Sequence, residues 1–202
     1  TGIAGTGVVG VVRGRQPATG SASRTIGLRA DMDALPLEEE NHFEHRSQHA
    51  GRMHACGHDG HTTMLLAAAK HLAATRNFAG TVHLIFQPAE EMGKAGAKKM
   101  IQDGVFDRFP CDAVFALHNF ALDRVGAFAL NHGPLMASSN TYRITLTGRG
   151  THASLPHTGL DPVAATIDLA QQLQTLVARH VDSRERALLA VTQIQGTDAP
   201  NV

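Results

Sequence analysis

The 202 residues carry 18 Lys plus Arg against 18 Asp plus Glu, a formal charge of zero, which argues against a nucleic acid or an anionic membrane surface as the main partner. With no Trp and one Tyr there is no aromatic platform for stacking bases. No apolar run approaches the ~18 residues that span a bilayer, and a hydrophobic fraction of 43% suits one large or two small packed domains.

The first Val- and Gly-rich stretch, residues 3–12, reads as a strand. It has no initiator Met and none of the marks of a secretory leader, so the chain reads as starting inside a longer protein. Gly5, Gly7 and Gly10 fit G-x-G-x-x-G, but a dinucleotide fingerprint needs a strand before it and a helix opening on it. A polar loop follows instead, so these are read as hairpin or bulge glycines. Residues 25–29 form a second strand leading into "ADMDALP". Ala/Leu-rich residues 62–74 predict a helix. "TVHLIF" at 81–86 is a strand stopped by Pro88, 94–102 a helix ending before Gly104, 113–117 a buried strand, and 125–130 one more. Strands alternating with helices give an α/β domain with a largely parallel sheet, placed at residues 1–135.

Beyond residue 135 the texture changes. "NTYRITLTG" (140–148) alternates apolar and polar residues as a half-buried strand does. A helix over 161–180 carries Pro162 in its first turn, and 187–194 reads as a strand. Residues 136–202 look like part of a second, smaller α+β domain. They stop just after that run, so the chain also reads as cut at this end.

Cys56 and Cys111 are the two cysteines of the chain, too few for a secreted scaffold of this size. They point to a cytoplasmic protein without a disulfide. Histidine is the outlier, with thirteen copies. In open parallel sheets ligands bind beyond the carboxyl ends of the strands. Asp31 and Asp33 follow the second strand, Glu90 and Glu91 follow "TVHLIF", and His118 follows "AVFAL". Cys56 and His58 directly precede a helix. Thiolate, imidazole and carboxylate are the donors that zinc and similar divalent ions take. Gly57 permits a turn that aims Cys56 and His58 together. If residues 90 and 91 are extended, they point in opposite directions. One can then bind metal while the other carries a proton. The same residues have plainer readings. Glu90 and Glu91 could be a solvated helix start, His118 a core histidine, Cys56 a small core residue, and His152 an exposed loop histidine. Asp59 and His61 stand outside the ligand set, as first-turn or supporting residues. Ser154 lies on the same local turn as His152 and makes no catalytic dyad with it.

Six ordered motifs, "RADMDALP", "HACGHDGHT", "FQPAEE", "LHN", "GPLMAS" and "GRGTHASLPH", together resemble the M20 metallopeptidase/amidohydrolase family. The subgroup is the one holding hippurate hydrolases and auxin-conjugate hydrolases. The resemblance implies a dimetal α/β catalytic domain at 1–135 and an inserted, ferredoxin-like α+β lid that dimerises at 136–202, each partly present. It implies Cys56, His58, Glu91 and His118 as metal ligands, Glu90 as general base, and His152 as a lid histidine reaching an active site. Asn201 in "APNV" becomes a substrate contact, and Asp31 and Asp33 supporting residues. The family's last metal histidine and its leading helical region have no counterpart between Thr1 and Val202, and Asn140 stands where Asp is expected. The implied cofactors are two divalent ions, zinc or manganese, with cobalt and nickel as further candidates. The implied reaction is hydrolysis of the amide of an N-acyl amino acid such as hippurate by a metal-activated water. A dipeptidase or carboxypeptidase of the same family, or a non-catalytic metal-binding dimerisation module, are the alternatives. A homodimer is implied, with no nucleic acid and no membrane as partner.

Overall fold

A computed structural model describes residues 1–17, 24–91 and 93–196. By its internal contacts the chain divides into two compact units, Thr1–Phe128 and Ala129–Val202. The first is α/β. Its sheet has four strands, β1 (Val8–Arg13), β2 (Thr25–Asp31), β3 (Thr81–Gln87) and β4 (Ala113–Ala116), in the order β1-β3-β2-β4. β2 runs parallel to both β3 and β4, and β1 is antiparallel to β3. The sheet is therefore mixed and mostly parallel. The three parallel strands end at one rim, where Asp31 pairs with Gln87.

β3 is buried along almost its whole length, as expected of an inner strand covered on both faces. Val82, Leu84 and Phe86 point to one face. There they form a core with Ala30 and Leu65, the latter from helix α1 (His58–Thr75). Ile85 points to the other face and packs with Ile3, Met100 and Val105. Met100 belongs to α2 (Gly96–Gln102) and Val105 to α3 (Val105–Arg108). Burial on both faces thus explains why "VHLIF" does not alternate with polar residues as a one-sided strand would, His83 excepted. Leu84 is 4% exposed at the centre of the first core. Leu84→Ala is expected to cost about 2–5 kcal/mol, the usual range for a buried leucine that leaves a cavity, read as a lower urea midpoint with an unchanged slope.

The glycine-rich start is a tight turn and not a cofactor loop. Ile3 and Gly7 form an isolated bridge, and the strand that follows is antiparallel, with no helix after it among the described residues before β2. A Cβ on Gly7 would sit 2.4 Å from the Ile3 carbonyl oxygen, so only glycine fits there. α1 begins at His58, four residues before the predicted start, with Gly57 at φ 83 as its cap. The second predicted helix, 94–102, forms as α2 and stops before Gly104 at φ 77, beyond which the short α3 is an element the sequence did not suggest.

In the second unit, α4 (Pro162–His180) runs where the sequence places it. Asp161 caps it by accepting hydrogen bonds from the Val163 and Ala164 amides at 2.8 and 3.1 Å, and Pro162 occupies its first turn. Three expected strands do not form: 125–130, 140–148 and 187–194 have no ladder among the described residues. Phe128, Tyr142 and Leu188 within them are exposed. Alternation gives a segment an apolar face, but a strand also needs a neighbour for its backbone groups and its cross-strand pairs. None of the three segments is hydrogen-bonded to a neighbouring strand among the described residues.

Candidate metal centre

The candidate metal ligands of the rim all lie in the first unit, Thr1–Phe128. β2 delivers Asp31 at its last position and Asp33 just beyond it. The turn before α1 delivers Cys56, and the first helical turn His58 and His61. The loop after β3 delivers Glu90 and Glu91, and the loop after β4 His118. Three overlapping groups bring metal-type donor atoms within 4.8 Å of one another: Cys56, His58 and His118; His58, Glu90 and Glu91; and Asp31, His58 and His61. Donors on one ion at about 2.0–2.3 Å can stand no further apart than roughly 4.6 Å, and Cys56 Sγ to His118 Nε2 at 3.6 Å and His58 Nε2 to Glu91 Oε1 at 3.9 Å lie inside that limit.

His58 belongs to all three groups. It is 1% exposed, and its Nε2 is buried without a hydrogen-bond partner. Its Nδ1 lies 3.0 Å from the Asp33 carbonyl oxygen and 3.3 Å from Asp33 Oδ1. An Nδ1–H donated there leaves the Nε2 lone pair free, aimed at Glu91 Oε1 at 3.9 Å and Asp31 Oδ2 at 3.8 Å. His118 uses the same device. Its Nδ1 lies 2.6 Å from the Asn119 carbonyl oxygen, and its Nε2 faces Cys56 Sγ at 3.6 Å. A ring nitrogen tied to a carbonyl fixes the tautomer that presents the other nitrogen to a cation. A buried acceptor lone pair with no donor is costly unless something fills it. The donor set therefore fits divalent ions.

The two aspartates hold this arrangement together. Asp31 is 2% exposed, with Oδ1 at 2.6 Å from His61 Nδ1 and Oδ2 at 2.9 Å from Arg29. Burial alone would raise its carboxyl, but the His61 hydrogen bond and the Arg29 charge outweigh burial and hold it below the usual carboxylate range. Asp33 accepts the backbone amides of Glu90 and Glu91 at 3.1 and 2.9 Å. Burial again opposes, and those amide hydrogen bonds win, keeping it ionised to lower pH. Cys56 is pushed the other way. Burial, then the Glu91 carboxylate beside it, raise its thiol to about 11.

One expectation is corrected. Glu90 and Glu91 are not on an extended segment pointing to opposite sides. Ala89 has φ 53, both following amides turn onto Asp33, and both carboxylates reach the group around His58. They differ in exposure: Glu90 is exposed and Glu91 half-buried. Two residues outside the sequence-derived set also belong here, His61 and Asn119. His58 and His61 are three apart in a helix, a spacing that stacks both on one face, and that signal was present in "HDGH".

His152 lies in the second unit, exposed, on a local turn where its Nδ1 is 2.9 Å from Ser154 Oγ. Asn201 falls outside the described residues.

Gly57 separates Cys56 from His58 at φ 83, and a Cβ there would lie 2.1 Å from Asn119 Nδ2. Gly57→Ala is expected to cost about 1–2 kcal/mol for the left-handed backbone alone and to displace Asn119 besides. A lower thermal midpoint together with weaker metal binding checks this.

Residues 27–200 match peptidase family M20/M25/M40. The chain is 46% identical to the hippurate hydrolase of Campylobacter jejuni, over 99% of this chain and 50% of that protein. The chain belongs to peptidase family M20. It is likewise 46% identical to the IAA-amino acid hydrolase ILR1-like 5 of Arabidopsis thaliana, over 99% of this chain and 44% of that protein. The crystal structure of a dinuclear metal-binding peptidase of the M20 family from Bacillus subtilis superposes with a TM-score of 0.61 at 35% identity, covering 84% of this chain and 43% of that one. This M20 chain thus spans about half the length of the curated relatives it matches.

Proposed function

We propose that this chain carries the metal-binding half of an amide hydrolase that cleaves N-acyl amino acids of the hippurate type into a carboxylic acid and a free amino acid. The observation that carries the reading is the buried, partnerless Nε2 of His58, faced by thiol, imidazole and carboxylate donors in a chain of the M20 family. Cys56, His58, Glu91 and His118 hold two divalent ions, zinc or manganese. When bound, such ions supply positive charge that acidifies water and polarises an amide carbonyl. Glu90, the exposed member of the acidic pair, takes the proton from the attacking water and returns it to the leaving nitrogen. Asp33 orients both the His58 ring and the Glu90–Glu91 turn, while Asp31 is spent on Arg29 and His61.

Residues 136–202 serve as the lid and dimerisation domain. His152 donates to the developing oxyanion, and Asn201 contacts substrate. Two relatives named for hippurate and for IAA-amino acids support an acylated amino acid as substrate. No helix among the described residues is long and apolar enough to cross a membrane; we place the protein in the cytoplasm, as a homodimer. The test is metal content by mass spectrometry, followed by a panel of N-acyl amino acids and dipeptides. Two equivalents of zinc or manganese with release of free amino acid from the acyl series is the expected result. Preference for dipeptides moves the reading to a peptidase of the same family. Metal without any turnover makes the chain a binding module, and absence of metal overturns the reading.

A further inference from the structure

Three imidazoles crowd one point of the rim. The His61 ring lies 4.5 Å from that of His118 and 5.4 Å from that of His58, centroid to centroid. Two of the three are assigned to metal above. His61 is 3% exposed, yet both of its nitrogens are already engaged by the protein. Nδ1 meets Asp31 Oδ1 at 2.6 Å. Nε2 accepts the Asn119 backbone N–H at 3.0 Å and lies 2.8 Å from Asn119 Oδ1, a side-chain contact that becomes a hydrogen bond to this lone pair when the amide is turned to present its NH₂ group. Asp31, ionised and paired with Arg29, can only accept, so His61 Nδ1 donates and Nε2 is left to take up Asn119.

Asn119 is the junction. Its N–H goes to His61, and its carbonyl oxygen holds His118 Nδ1 at 2.6 Å. Its side-chain amide also lies against Gly57, over the space that any Cβ there would fill. One residue thus touches the turn carrying Cys56 and His58, fixes the His118 ring, and is itself pinned by His61. We propose that His61 is a positioning residue that, through Asn119, locks the Cys56–His58 turn to the His118 loop and so sets the affinity of the metal position those loops share. The proposal rests on the dimetal reading above.

Two substitutions separate the two halves of this link. An asparagine amide can occupy the place of Nδ1 and keep Asp31, but it cannot reach Asn119. A glutamine amide can occupy the place of Nε2 and keep Asn119. The full chain is loaded with cobalt, and its dissociation constant is measured by chelator competition. The thiolate-to-cobalt charge-transfer band reports on Cys56, and circular dichroism and thermal midpoint report on the fold. His61→Asn is expected to weaken cobalt binding by about 10–100-fold, the usual effect of removing a support of a metal ligand, and to lose the thiolate band in a folded protein. His61→Gln is expected to keep the band and most of the affinity. Parent-like affinity and band in His61→Asn, or equal losses in both variants, overturn the proposal. Should His61→Asn fail to fold, Asn119→Ala, on an exposed loop with His61 and Asp31 still paired, is expected to weaken cobalt; unchanged affinity overturns the proposal. A parent chain that shows no thiolate band and no tight cobalt overturns the dimetal reading itself, and the proposal with it.

Discussion

Glu90→Gln is expected to keep the fold and the bound metal and to lose about 10²–10⁴-fold in turnover, the usual worth of a positioned proton carrier. The expectation comes from the different surroundings of two neighbours. Glu91 is half-buried, with Oε1 3.9 Å from the orphaned His58 Nε2, and its carboxylate is a cause of the raised Cys56 thiol. It is enclosed by the groups that a cation would bind. Glu90 reaches the same group but stays exposed, where it can meet a water and a substrate. Glutamine keeps the size and the backbone amide bond to Asp33 but cannot accept a proton. Glu91→Gln is expected to lose metal first, and excess metal should partly restore activity. Metal content and kcat measured on both variants decide the matter. The reverse pattern exchanges the roles, and two variants with parental metal and parental kcat reduce the pair to a solvated turn.

The rim itself is legible in the sequence because apolar runs of strand length end at a charged, a strand-breaking and an imidazole residue: Asp31, Pro88 and His118 each mark a strand's carboxyl end. Parallel pairing of β2 with β3 and β4 then brings those ends together. α4 is legible for a local reason too, since Asp161 and Pro162 carry capping chemistry within three residues. Other features depend on partners distant in sequence. The Pro88–Glu91 turn is one. Ala89 takes a positive φ although nothing in "QPAE" asks for it. The turn is held by the Asp33 carboxylate and by the Gly96 amide, which donates to the Ala89 carbonyl at 2.8 Å. The early start of α1 is another. "HDGH" has weak helix propensity, and its first turn is fixed by contacts of His58 and His61 with Asp33 and Asp31. His61 is absent from the sequence-derived ligand set for the same reason, because its role depends on Asp31 and Asn119, thirty and fifty-eight residues away. The strands that fail to form show the converse, since a periodic pattern names a face and never supplies a neighbour.

Cys56→Ser is expected to lower metal occupancy and activity together, and the proton balance of loading reveals why. Burial, then the Glu91 hydrogen bond and charge, with Glu90 and Asp31 behind them, push the Cys56 thiol up to about 11. In the ion-free protein at neutral pH this group is therefore a thiol. A divalent ion takes the thiolate, so binding must expel the proton, and about one proton per Cys56 site appears in solution on loading. The sign follows from competition. The folded pKa lies above neutral, protons compete with the cation throughout the neutral range, and the apparent affinity rises as pH rises. The acidic neighbours that make the free thiolate unfavourable are the ones that attract a cation, so the arrangement disfavours the empty thiolate and favours the occupied one. Serine keeps the shape but offers a harder donor whose proton is far more difficult to remove. The site formed with His118 should weaken by about 10–100-fold or more, while His58 and Glu91 still offer donors for the second ion. The measurements are metal content after dialysis, and proton release in weakly buffered solution followed by an indicator dye as zinc is added. Loss of metal together with a released-proton count lower by about one assigns Cys56 as the thiolate ligand. Unchanged metal and unchanged proton release would show that Cys56 is only a packing thiol beside a site that the histidines and glutamates hold without it.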